Sequence, residues 1–536
     1  MALEPVHINN VGTFGIVQDL RGHELPPEAW TDGNNVRFHA NKVLKVKGYQ
    51  PVWGTLNNAP YAAFQVRVPG NVYWVYPGLA ACGVYSSSDV AHADITRTVG
   101  GAYSANQNTP WTGDVIGGIL VLNNFNDVPQ YWATPGIANK LADLPNWPSG
   151  YNARAMVAYK QFLIALGVDQ GATDAPHRVL WSDQADPGSI PGSWDIADAT
   201  TLAGQTDLSD TESGGIMNGM RLGDVLMIYK EKSIWAMYPS NNILIFNFDQ
   251  LKEGVGIASQ NGVAQVPQRQ EHLLFTGNDL VKWNGQDVES VIDSKTRDKL
   301  VSLLDTTYYA RSFMITHSRR NEIWLCFPSL NNQWPDKALI VNYKTGANSW
   351  RDLPPTPFIA TGIVDSGSTT GGTLWDNLNA TWDSQDIIWG DDVSSGKLGN
   401  TLLMCDAENS KLHQMEYSET NENANMTAYV ERLGLTVIGY DRTGQPKEDH
   451  RSRKLFNRLW PKAKGGQITI RGAAQEEIDG PVRYTAPAYF DPSVDKFVDF
   501  DEPISGRFLG VRFESNLDTT WELEGYAIEM DLLGEF

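Results

Sequence analysis

Residues 223–238 read GDVLMIYKEKSIWAMY. Five apolar residues, a polar tetrad KEKS, then a second apolar run holding Trp235: the pattern is a β-hairpin, too short and too β-branched and aromatic for a helix. The same grammar returns in HLLFTGNDLVKWNG (272–285) and ILVLNNFNDVPQYWA (119–133). Their turns, TGND and NNFND, carry Gly277, Asn278, Asn124 and Asn126, residue types that accept left-handed backbone. Further short apolar runs are VYWVYPG (72–78), KQFLIALGVD (160–169) and NEIWLCFPS (321–329). Such units recur every ~40–60 residues between about Tyr61 and Tyr417, the spacing of propeller blades built from small antiparallel sheets. The expectation is a mainly β chain with a six- or seven-bladed β-propeller. Weak likeness between the units leaves a stacked sandwich as the competing architecture.

The rest of the chain fits around that unit. At 536 residues it exceeds the size at which single cores stop growing, so more than one domain is expected. Eighteen Trp, 20 Tyr and 49 Gly suit strands and turns. The clearest helix candidate is DSKTRDKLVSLL (293–304), with a partial apolar face. The last ~110 residues alternate apolar and polar in AYVERLGLTVIG, GQITIRGAAQ, GRFLGVRFES and WELEGYAIEMDLLGEF, which suits a sandwich. Three regions are therefore expected: an N-terminal arm and hairpin over 1–58, a propeller over 59–420, and a C-terminal β domain over 421–536. Residues 366–400 are rich in Gly, Ser, Thr and Asp, with Trp375, Trp382 and Trp389 seven apart. Their glycines argue against a helix, so a decorated loop or inserted hairpin is expected. Its three tryptophans are candidates for an exposed partner contact.

Charge narrows the function. Forty-two Lys and Arg stand against 63 Asp and Glu, a net −21. Gripping nucleic acid requires cations on phosphates, so the charge argues against a DNA-gripping role, though not against passage of DNA. No run of ~18 apolar residues suggests a membrane span. The first residues, MALEPVHINNVGTFG, lack the basic and apolar regions of a secretory signal. Cys82, Cys326 and Cys405 are too scattered for a disulfide frame or zinc site. Folding in a reducing cytoplasm is expected.

Catalytic patterns are missing. Asp183/Asp186, Asp383/Asp386 and Asp391/Asp392 could supply paired carboxylates, but Asp in turns ordinarily caps the backbone. The 383–392 group does not match a calcium loop, and a solvated acidic loop is the stronger reading. The nine His form no HxxxH or HExxH. Ser182 and Ser233 lack the nucleophile elbow, and no phosphate-cradling glycine loop occurs. No enzyme activity, cofactor or metal is expected. Trp181, Trp235, Trp283, Trp324 and Trp350 could stack sugars, but their apolar settings fit blade cores better.

Two basic stretches stand out in this acidic chain. One is the opening hairpin, NNVRFHANKVLKVKGY (34–49), with Arg37, Lys42, Lys45 and Lys47. The other is KEDHRSRKLFNRLWPKAKGGQITIR (447–471), with Arg451, Arg453, Lys454 and Arg458 among its cations. An isolated hairpin is marginal in water, so Val36, Phe38, Leu44 and Val46 need a partner. The C-terminal β domain is the natural one, with the propeller inserted between the two chain ends. The two basic stretches would then form one assembly face, pairing with carboxylates of an acidic neighbour.

The hairpin also resembles the N-terminal pattern of the tail nozzle proteins of short-tailed bacteriophages, also called packaged-DNA stabilisation proteins. Asn41 stands at that family's usual Gly. The chain is similar to the same family at VLWSDQADPGSIPGSWD (179–195), across RLGDVLMIYKEKSIWAMY, LKEGVGIASQNGVAQV and HLLFTGNDLVKWNG (221–285), and at FLGVRFESNLDTTWELEGYAIEM (508–530). The resemblance implies a non-enzymatic homohexamer hung below the portal and its adaptor ring. Such a ring surrounds a channel for double-stranded DNA, carries fibres or tailspikes, and holds a needle or plug. It assembles in the host cytoplasm and resides in the virion tail. The competing reading is a carbohydrate-binding or carbohydrate-degrading propeller.

Overall fold

A computed structural model describes the chain except residues 1–4, 172, 212–213, 241–244, 365–399, 443–444, 479 and 535–536. Seven four-stranded antiparallel sheets follow one another in sequence: residues 64–94, 112–143, 151–207, 216–253, 263–290, 313–352 and 359–415. They form a seven-bladed β-propeller. In six blades all four strands are consecutive. The seventh takes three strands from 359–415 and its fourth, Tyr49–Val52, from the N-terminal segment, paired as Leu412↔Val52 and Gln414↔Gln50. Pro51 is tolerated because this strand is the outer edge of its sheet. The ring is thus closed by a strand that precedes the whole propeller in sequence.

The hairpins read from sequence are the middle strands of blades. Val225–Lys230 pairs with Ser233–Pro239, His272–Phe275 with Leu280–Trp283, and Ile119–Asn123 with Gln130–Trp132. Gly277 adopts φ 98°, as its turn requires, whereas in NNFND the left-handed residue is Phe125, at φ 70°. Trp181, Trp283, Trp324 and Trp350 are buried between blades, and Trp235 is half-buried. The helix is Ser294–Leu303, capped by Asp293 accepting from the Thr296 amide.

Both chain ends build a second body, the platform, from two six-stranded sheets. In one, Val36–His39 and Lys42–Lys45 form the hairpin. Ala40 and Asn41 both take positive φ, the signature of a tight primed turn. The hairpin docks on Trp521–Gly534 as Val43↔Leu523 and Leu44↔Glu522. Next come Arg453–Gly465 and Val498–Gly506, and Val6–Asn9 also joins Trp521–Gly534. The facing sheet runs Asp32–Asn34, Ala428–Leu435, Phe508–Ser515, Ile468–Gln475, Arg483–Tyr484, with Ala488–Phe490 on its rim. Trp30, Phe513 and Tyr526 meet ring against ring between them. This core runs without a break into Leu325, Phe327, Leu339 and Trp350 of blade 6.

The 447–471 stretch departs most from its sequence reading. It is mainly a 13-residue strand, Arg453–Gly465, inside the first sheet. Pro461 sits opposite Tyr526, and the register shifts at Lys462/Ala463 just beyond it. A bulge there accommodates the missing donor.

Candidate assembly surface

The hairpin presents four cations, and the structure sends them in different directions. Arg37 is buried, with its side chain 3% exposed. It points away from the sandwich core, toward the propeller. Its Nε and Nη2 donate to the two carboxylate oxygens of Glu322 at 2.5 and 2.9 Å, a bidentate fork, and Nη1 donates to Glu416 at 2.5 Å. Arg351 donates its Nη1 to the other Glu416 oxygen and its Nη2 to the Lys47 carbonyl at 2.7 Å. Two guanidinium groups and two carboxylates thereby join the platform to blade 6, which carries Glu322 and Arg351, and to the end of blade 7. Burial alone would raise both carboxyls. The Arg37 guanidinium overrides it, holding Glu322 well below the ordinary range and, with Arg351, bringing Glu416 down to about 2. Asn34 and Asn35 complete the junction on Asp352, the latter also accepting the Asp352 amide.

Lys45 is buried too, donating to the Leu517 carbonyl, and desolvation lowers its pKa. Lys42 and Lys47 stay at the surface, on Glu522 and Glu524 and on Glu419 respectively. In the second stretch Lys454 is fully buried. Its ammonium donates to the carbonyls of Asp449, Ser452 and Arg507, and desolvation lowers its pKa to about 8. Arg453 pairs with Glu476, Arg458 with Asp499 and Glu529, and Arg451 is exposed.

These positions correct the expectation of one basic assembly face. Arg37, Lys45 and Lys454 cannot meet another molecule, because each is enclosed within this chain. The remaining cations do not converge either. The hairpin lies beside Ala463 and Lys464, whereas Arg453 is ten residues back along the same strand, some ~33 Å at strand rise. Trp375, Trp382 and Trp389 lie outside the described residues. Glu322, Glu416 and Arg351 went unnoticed in the sequence; an isolated Glu beside an apolar run carries no signal of the partner 285 residues away.

Among its clefts the platform has one at each end of the long ladder formed by Arg453–Gly465 and Trp521–Gly534. One, of about 750 Å³, is lined by Glu24, Glu448, Glu476 and Glu477, with His23, His450 and Phe508 as its ring-bearing wall. The His23 ring stands 5.8 Å from His450 and 5.9 Å from Phe508. The other, of about 370 Å³, is lined by Lys462, Lys464 and Lys496 against Asp495 and Glu524. The propeller has its own cavity of about 510 Å³, where Asp114 and Arg221 lie 3.7 Å apart. Desolvation raises the Asp114 pKa. Among the described residues no group of three or more His, Cys, Asp or Glu is placed to hold a metal ion. No helix among them is long and apolar enough to cross a membrane.

No protein family model and no curated protein sequence matches the chain. Solved structures do. The WD40 domain of coronin from Toxoplasma gondii aligns with a TM-score of 0.38 at 9% identity, over 72% of this chain and 87% of that one. A putative 6-phosphogluconolactonase from Bacteroides fragilis aligns with a TM-score of 0.37 at 9% identity, over 74% and 92%. These likenesses concern fold and say nothing of activity.

Proposed function

We propose that the chain is a structural virion protein, the tail nozzle subunit of a short-tailed bacteriophage. Six copies would ring the DNA exit channel below the portal and adaptor ring, retain the packaged genome, and support fibres or a plug. The observation that carries this reading is the platform. Two of the segments that resemble nozzle proteins, residues 34–49 and 508–530, lie at opposite ends of the sequence yet meet on neighbouring strands through Val43↔Leu523 and Leu44↔Glu522. The other two, 179–195 and 221–285, fall in blades 3 to 5. A residue pattern shared at these points is a pattern shared in the joint that holds the molecule together. The charge supports the same reading, since a net −21 repels duplex DNA and favours sliding over sticking.

Negative-stain imaging of the purified protein with the adaptor ring tests it. Six-fold rings with a central pore are expected. A protein that stays monomeric beside the adaptor and cleaves or saturably binds glycans overturns the reading in favour of a carbohydrate-directed propeller.

A further inference from the structure

The two clefts at the ends of the ladder carry opposite charge. Four glutamates face one arginine in the first, and three lysines face two carboxylates in the second. In the first, Glu476 is already engaged by Arg453 and Arg483, while Glu24 and Glu448 remain 53% and 41% exposed and Glu477 is exposed. In the second, Lys464 is 71% exposed on Glu524, Lys462 donates to Asn9, and Lys496 is exposed with no ion pair among the described residues. Apolar side chains accompany each cleft: Ile478 lines the first, and Val494 and Phe497 flank Lys496 at the second, all exposed. Charged groups around exposed apolar ones is the make-up of an interface rim and core.

Their placement matters as much as their sign. Lys454 of the central strand lies opposite Gly506, beside Arg507 of the acidic cleft, and Lys462 and Lys464 of the same strand line the other. About ten residues of rigid ladder, ~33 Å, separate the ends, so one chain cannot bring its own clefts together. Two different surfaces that match each other make a heterologous contact, and repeated rotation closes it into a ring.

We infer that the acidic cleft of one copy receives the Lys462–Lys464–Lys496 end of a second copy, head to tail. The inference rests on the ring reading above and assigns its subunit contact. Such a contact forms faster and holds tighter at low salt.

Charge reversal tests it. One variant carries Lys462→Glu, Lys464→Glu and Lys496→Glu; another carries Glu24→Lys, Glu448→Lys and Glu477→Lys. All six positions are exposed, and melting curves check that each variant folds. Self-association is followed by native mass spectrometry, and contacts by carbodiimide cross-linking of lysines to carboxylates between isotopically distinct copies, with and without the adaptor ring. Each variant alone is expected to lose self-association by 100-fold or more. An equimolar mixture is expected to regain it in even-numbered, strictly alternating rings. Intermolecular cross-links in the wild type should join the two clefts. Rings that persist in either variant, a mixture that does not recover, or wild-type cross-links elsewhere overturn the inference. Where rings still form, these results leave the nozzle reading intact; wild-type protein without rings or cross-links overturns both.

Discussion

Arg37 shows what a buried charge costs and holds. Its guanidinium is enclosed between Glu322 and Glu416, with Arg351 balancing the second carboxylate. Removing one member of such a group strands the others in a dry site, which typically costs ~3–5 kcal/mol. Arg37→Ala is therefore expected to destabilise the protein by that order at pH 7, read as a lowered urea midpoint. The penalty should depend on pH with a definite sign. Both carboxyls titrate below the ordinary glutamate range in the folded chain, Glu416 at about 2. Their stabilising contribution is fully present above the unfolded value and is lost as pH falls through the folded ones. Without Arg37 the carboxyls lose the cation that depresses them, so the gap between wild type and variant should narrow between pH 7 and pH 3. An equal gap at both would show that the network does not act through these charges.

At the scale of elements, the segment leading from the hairpin to the closing strand is a tight link between the two bodies. Only residues 46–48 separate Lys45, the end of the hairpin, from Tyr49, the start of the strand that completes blade 7. A Cβ on Gly48 would lie 2.1 Å from the Thr420 carbonyl oxygen, and the Gly48 amide donates to the Ser418 carbonyl at 2.7 Å. Gly48→Ala must push the two segments apart. Overpacking of this kind typically costs ~1–3 kcal/mol, and here the loosened element is the propeller's seam. Faster hydrogen exchange is expected at Tyr49–Val52 and Lys411–Met415, with blades 2 to 4 unchanged; exchange that stays at wild-type rates along the seam would show that Gly48 is not what holds it. The same elements show what a sequence can and cannot reveal. Strand–turn–strand units were legible because each needs only local alternation and a polar turn. The hairpin's need for the C-terminal strands was legible from its unpartnered apolar positions. The seam was not: YQPV is too short and too polar to stand out, and its partner lies more than 350 residues away. The basic residues misled for a related reason. Alternation in VRFH reads as one dry face and one wet face, yet at Arg37 both faces of the hairpin are covered. The second is covered by blade 6, whose Glu322 supplies the counter-charge only once the chain has folded.

At the scale of the molecule, the propeller is a loop of some 360 residues drawn out of a platform that both chain ends make, and the buried cations serve that architecture. Arg37 and Arg351 join the two bodies. Lys45, Lys454 and Arg432 are buried within the platform, the last donating to the Gly22 and Leu25 carbonyls, and Lys230 is buried on Asp210 in blade 4. Cations so enclosed cannot reach phosphate, and the surface left outside carries the excess of carboxylates. Non-specific DNA binding requires several Lys or Arg to displace counterions, and its affinity falls with a slope of about 0.9 per phosphate contact on a logarithmic salt scale. The excess of carboxylates, a net −21, opposes such binding, so a 30-bp duplex is expected to bind with a dissociation constant weaker than ~10⁻⁴ M near 50 mM salt. Fluorescence anisotropy with a labelled duplex measures it directly. Tight binding with a steep salt slope would require a coherent cationic surface and would remove the electrostatic argument for a conduit. Weak binding by the proposed ring as well as by the monomer would support the passage of DNA past a repelling wall.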